Sequence, residues 1–138
     1  MSRDDLRQAI FGSFDGLTSA LGVITGLVVA GTHSGSRILA ASLGLAIAAT
    51  VGMGAGEYLS DESRSNRRAL VMGGATLAGC MLPALPFAFG YGTVELTASG
   101  ALTVAAALTI GHYRGYRLTL AILAVVAALT VAVTILVA

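Results

Sequence analysis

The chain has 138 residues, of which only 11 % are charged, against roughly a quarter in ordinary soluble domains. Hydrophobic residues make up 56 %, Gly fills 18 positions and the net charge is +1, with every basic residue an arginine and no basic block. Such a chain cannot cover itself with a charged surface, which argues against a soluble enzyme, a nucleic-acid binder or a disordered segment; the glycines also keep no three-residue period, which excludes a collagen-like chain.

Crossing a hydrocarbon core of ~30 Å takes ~20 helical residues, and the first run of that length is residues 10–31. Val28-Val29-Ala30 resembles a small-residue cleavage site, but the apolar run before it is too long for a signal peptide and Asp15 interrupts it. The span is therefore read as retained. After the polar residues 32–37 comes a second run, 38–60, and after the charged residues 61–68 a third, 69–89. Pro83 and Pro86 are predicted to kink or end the third helix. The lone Cys80 within it leaves no disulfide framework and no CxxC metal site, and reads as a buried thiol. A short Gly-Tyr-Gly-Thr break leads to residues 94–113, and Arg114-Gly115-Tyr116-Arg117 leads to residues 118–137. Residues 1–138 are thus read as a single transmembrane domain.

Backbone groups in lipid need internal partners, and none of the five runs shows the alternation of a barrel strand. The fold class is an all-α integral membrane protein, a bundle of five transmembrane helices. With the N-terminus in the cytoplasm, Arg3, Arg7, Arg64, Arg67, Arg68, Arg114 and Arg117 all lie inside and only Arg37 outside. The positive-inside rule then gives an N-in, C-out topology.

The second span carries Ala40, Gly44, Ala48, Gly52, Gly56 and Ser60, a small residue every fourth position, which allows a neighbouring helix to approach closely. The first span adds Gly12-x-x-x-Gly16 and Gly22-x-x-x-Gly26. Spacing alone does not say whether the neighbour belongs to the same subunit or to another. Five helices with so few polar groups offer little material for a hydrophilic pathway, and a two-fold axis would double every ligand. A homodimer is therefore expected.

Two carboxylates fall inside the first two spans. Asp15 lies about 7 Å, and Glu57 about 5 Å, from the cytoplasmic end of its run at ~1.5 Å per residue. An ionisable residue in a membrane helix is costly, up to ~2.5–3.5 kcal/mol at the centre. Both are placed in one cytoplasmic-side layer, with Met53 four residues before Glu57 on the same helix face. Carboxylate oxygens alone suit Mg²⁺ or Ca²⁺, whereas a thioether beside them shifts preference toward a softer ion such as Fe²⁺, with Mn²⁺ served by the oxygens. The competing structural readings are an interfacial Glu57 paired with Arg64 or Arg68, helix capping by Asp15 beside Gly12 and Gly16, and Met53 as core filler.

Phe14-Asp15-Gly16-Leu17-Thr18, followed by Gly22 and Ala30-Gly31, resembles the first-helix signature of the vacuolar iron transporter family. Gly52-Met53-Gly54-Ala55-Gly56-Glu57-Tyr58-Leu59-Ser60 is similar to that family's second-helix signature. The resemblance implies a dimer that carries Fe²⁺, and often Mn²⁺, out of the cytosol, with proton exchange as driver and the pathway between the two copies. It assigns Asp15 and Met53 to the pore lining and Glu57 to the Glu of the Gly-Glu-Tyr motif. Two features depart from the family pattern. The long Glu-rich cytosolic hairpin between the second and third helices is replaced by residues 61–68, and the glutamate usual eight residues before the methionine is Leu45.

The expectation is therefore a homodimeric exporter of Fe²⁺ or Mn²⁺ in a bacterial plasma membrane, with metal ligands Asp15, Met53 and Glu57. The ion is cargo, no resident cofactor is expected, and no enzyme activity is expected, because no triad, phosphate loop or zinc constellation is present. Leu45 and the short loop motivate the alternative of a membrane scaffold or partner subunit that keeps the fold without the activity. An exporter of organic ions fits less well, since the tyrosines and basic residues sit near helix ends. His33 and His112 fall on opposite sides as solvated interfacial residues, and Arg114 and Arg117 meet anionic lipid headgroups.

Overall fold

The computed structural model describes residues 2–63 and 65–137. Five helices run in antiparallel order: α1 (Arg3–Val29), α2 (Gly35–Ser60), α3 (Asn66–Ala84), α4 (Thr93–Arg114) and α5 (Tyr116–Val137). Each is long and apolar enough to cross a membrane, counting α3 together with the 3-10 turn Leu85–Ala88 that follows it. The protein is a multi-pass helical membrane protein.

The largest departure from the sequence expectation is the start of α1, seven residues before residue 10. Ser2 Oγ accepts the Asp5 N–H at 3.0 Å while the Asp5 carboxylate accepts the Ser2 N–H at 3.0 Å. This reciprocal capping box starts the helix in its polar residues, which apolar run length does not register. At the other end Gly31, at φ +87°, donates to the Val28 carbonyl at 3.0 Å and Thr32 donates to that of Leu27 at 2.9 Å. This is a Schellman closure that needs the left-handed conformation glycine adopts freely. Pro83 sits in the last turn of α3 and Pro86 in the 3-10 turn, so the two prolines end the helix as expected.

α3 is the central element, packed on α1 and on α2. A Cβ on Gly16 or Gly79 would collide with the Thr76 or Ser13 backbone carbonyl across the α1–α3 crossing. On the other side of α3, a Cβ on Gly73 would stand 3.0 Å from the Thr50 carbonyl of α2. Small residues therefore let both backbones approach α3 closely, the usual basis of helix association in lipid. Three apolar clusters complete the core: Ile24, Ile38, Ala84 and Phe87 at the end away from most arginines, Ala20, Ala46 and Cys80 in the middle, and Leu17, Ala107 and Leu123 toward α4 and α5. The buried Ser99 hydroxyl donates to the Pro83 carbonyl at 2.7 Å, tying α4 to the end of α3.

The glycine question left open by spacing is answered differently on each helix. In α1, Gly12 and Gly16 meet α3, and Gly22 and Gly26 face Thr130 and Thr134 of α5. In α2, Ala40, Gly44, Ala48, Gly52, Gly56 and Ser60 are all exposed, and a Cβ on Gly44, Gly52 or Gly56 would meet nothing within 4 Å. Helix α5 has a mean hydropathy of 2.9 and few fully buried residues, so its outer faces are suited to lipid.

Candidate functional site

The arginine-rich end of the bundle is organised by ion pairs. Arg67 meets the buried Asp5 at 2.8 Å, and Arg68 bridges Asp4 at 2.8 Å and Asp61 at 3.4 Å. These pairs tie the first turn of α3 to the first turn of α1 and, through Asp61, to the α2–α3 loop. Asp61 also accepts from the Ser63 hydroxyl and from the Ser63 and Ser65 N–H groups. The Ser63 hydroxyl, these backbone donors and Arg68 hold its carboxyl below the usual carboxylate range. Arg68 is therefore engaged elsewhere and does not pair with Glu57, while a Glu57–Arg64 pair lies outside the described residues.

Glu57 is instead half-buried, three residues before the end of α2, and its Oε1 accepts from Gln8 Nε2 at 2.6 Å. Sequence reading missed Gln8, because no motif flags it and the helix was expected to begin beyond it. Met53 is half-buried on the same face of α2, about 6 Å farther along the helix from Glu57 at ~1.5 Å per residue. Asp15 is half-buried in the interior of α1, seven residues beyond Gln8 and so about 10 Å farther along that helix. Helix α1 is continuous through Gly12 and Gly16, which removes the capping reading for Asp15.

The single layer expected for the acids is therefore a descending series. Glu57 stands at the mouth with Gln8, Met53 comes about one turn in, and Asp15 nearly two turns beyond the Gln8 level. The cause is the offset of α1 against α2: the Gln8–Glu57 bond sets Gln8 level with Glu57, which leaves Asp15 seven residues farther in. Among the described residues, no three of His, Cys, Asp and Glu come together as a metal cluster. Leu45 packs against the Ala20, Ala46 and Cys80 cluster, so the position where the resembled family carries a membrane glutamate is apolar core here.

Glu57 and Gln8 line a cleft of about 690 Å³ at the arginine-rich end, together with Arg7, Phe11, Met72 and Arg114 among others. Met53 is not in its wall, whereas Met72 of α3, which the sequence reading passed over, is. The two histidines lie apart: His33 packs edge-on to Tyr91 at 5.3 Å, and His112 Nδ1 is 3.2 Å from the Tyr116 hydroxyl at the other end of the bundle. A further acid within the fourth span, Glu95, belongs to the first turn of α4 beside Gly92, at the end remote from Glu57.

The family model of the VIT family matches residues 6–68, which hold α1 from Leu6, all of α2 and the first residues of α3. No curated protein matches the chain. Asp15, Met53 and Glu57 all lie within the matched stretch, and its helices are the two that carry the descending series. The match over these residues and the five membrane-length helices together support membership of this chain in the VIT family.

Proposed function

We propose that the protein exports a divalent transition-metal ion, Fe²⁺ and/or Mn²⁺, from the cytosol across a bacterial plasma membrane as a homodimer. VIT family membership fits transport of metal ions across a membrane. The observation that carries the reading for this chain is the order of Glu57, Met53 and Asp15 inward from the mouth, on α2 and α1. In this reading Glu57 receives the ion, the Met53 thioether favours a softer ion over Mg²⁺ or Ca²⁺, and Asp15 passes it on. A carboxylate that meets a cation releases its proton more readily, which gives a route to proton exchange. The chain acts as a carrier, and no catalytic role is assigned to any residue.

Two observations support the dimer. One chain brings no three acidic, His or Cys side chains together among its described residues, and a second copy would double the ligands. The α2 stripe from Ala40 to Ser60 is small, exposed and free of neighbours at Gly44, Gly52 and Gly56, so another helix can lie close along it.

The second reading, a scaffold or partner subunit that does not transport, rests on the packing of Leu45 into apolar core. Metal uptake by sealed proteoliposomes separates the two. Saturable Fe²⁺ or Mn²⁺ flux that disappears in Asp15→Asn and Met53→Leu, with the dimer intact, is the expected result. No flux for any of Fe²⁺, Mn²⁺, Zn²⁺ or Mg²⁺ from folded, dimeric protein overturns export and leaves the scaffold.

A further inference from the structure

The cleft that contains Glu57 has a second character that metal transport does not use. Two arginines from different helices line it, Arg7 of α1 and Arg114 of α4, and neither makes an ion pair or hydrogen bond among the described residues. By contrast, Arg67 and Arg68 at the same end are both paired with carboxylates. The wall beneath the two free arginines is apolar, built from Phe11, Phe14, Ile110 and Ile122. The one acid in the cleft, Glu57, already accepts from Gln8. Two guanidinium groups against one carboxylate leave the lining net positive. That is a poor resting place for a free divalent cation and a good one for an anion.

From this geometry we infer that the cleft binds an anionic phospholipid of the adjoining leaflet, its phosphate on Arg7 and Arg114 and an acyl chain along Phe11, Phe14, Ile110 and Ile122. The amphipathic lining matches both parts of such a molecule. Guanidinium pairs phosphate oxygens through paired N–H donors, and an acyl chain gains from covering apolar walls. Arg7 lies near the start of α1 and Arg114 at the end of α4, and the apolar residues of the wall follow inward from them along the helices. A free phosphate would satisfy the arginines and leave that wall uncovered. The site is independent of whether the chain transports metal. Should it transport, a phosphate seated there offsets the positive lining that an ion must pass to reach Glu57.

The test compares thermal unfolding of the purified protein in phosphatidylcholine nanodiscs with and without a quarter of phosphatidylglycerol. Phosphatidylglycerol is expected to raise the wild-type midpoint by ~4 °C, since a ligand that binds the native state stabilises it. The gain should vanish in the Arg7→Gln/Arg114→Gln variant and persist in Arg117→Gln, whose arginine lies at the same end outside the cleft. An equal gain in the cleft variant would mean a general response to bilayer charge and overturn the site, as would no gain in wild type. Inorganic phosphate reproducing the gain in pure phosphatidylcholine would assign the arginines to a soluble anion and overturn the lipid. A second measurement needs no variant: delipidated wild type titrated with short-chain phosphatidylglycerol should saturate at one lipid per chain, and titration without saturation overturns the proposal. None of these readouts involves metal flux, so their failure leaves the transport reading standing, and the reverse also holds.

Discussion

Gln8 and Glu57, 49 positions apart, are joined by a hydrogen bond of 2.6 Å between the Gln8 amide and the Glu57 carboxyl. That bond fastens the beginning of α1 to the end of α2 in the wall of the cleft at the arginine-rich end. It also supplies a donor to a half-buried carboxyl that no described arginine reaches.

Removing the donor should therefore be felt in two ways. Gln8→Ala is expected to cost ~1 kcal/mol of stability, the usual net worth of such a bond, as a lower thermal midpoint in detergent. If Glu57 receives the ion, flux in proteoliposomes falls in the same variant, whereas Gln8→Asn, with a shorter reach, gives an intermediate effect.

The α1–α3 crossing should tolerate no added methyl. Gly16→Ala places a Cβ against the Thr76 carbonyl and 2.9 Å from the Cys80 nitrogen, both backbone atoms that cannot step aside. A loss of about 1–3 kcal/mol is expected from overpacking. Gly44→Ala, with nothing within 4 Å in one chain, should cause no such loss within the subunit.

The exposed stripe on α2 gives the converse experiment. Gly52→Leu and Gly56→Leu meet no neighbour within 4 Å in one chain, so folding of the subunit should survive. A bulky side chain there holds a partner helix away, and the dimer reading predicts a dimer weakened at least ~10-fold. Single-molecule subunit counting in liposomes measures this, and an unaltered dimer would move the interface off α2.

Metal binding should appear in stability before it appears in flux. At ten times its Kd, Mn²⁺ stabilises a native site by about 1.4 kcal/mol. Wild type is expected to show the corresponding rise in midpoint and Asp15→Asn to lose it, while Met53→Leu should lose more of the rise with Fe²⁺ than with Mn²⁺. No rise in wild type at any Mn²⁺ or Fe²⁺ concentration is what the scaffold reading predicts.

Asp61 carries the pH prediction. Its carboxyl is held below the usual range in the folded chain, so the loop contacts it makes are fully present above the ordinary carboxylate pKa. They are lost as pH falls through the lower folded value, below about pH 4. Hydrogen exchange at Ser63 and Ser65, whose N–H groups donate to Asp61, should accelerate there relative to the helices. Asp61→Asn should show the faster exchange already at neutral pH.

Composition and run length were sufficient for the class of protein, the number of helices and the prolines that end α3, because the hydrophobic requirement of a bilayer acts on each segment separately. Ser2, Asp5 and Gln8 show where that local logic stops. They belong to α1 through a capping box and a bond to a residue 49 positions away, and apolar run length sees neither. The small-residue spacing announced close packing in both α1 and α2, yet only the fold separates Gly16, which is pressed against Thr76, from Gly44, which meets nothing. Motif residues Asp15, Met53 and Glu57 were legible in the sequence, while their order in depth and the presence of Met72, Arg7 and Arg114 in one cleft were not. Depth and convergence depend on how helices are offset along one another. That offset is set by the backbone approaches at α3 and the ion pairs of Asp4 and Asp5, which exist only once the helices have packed.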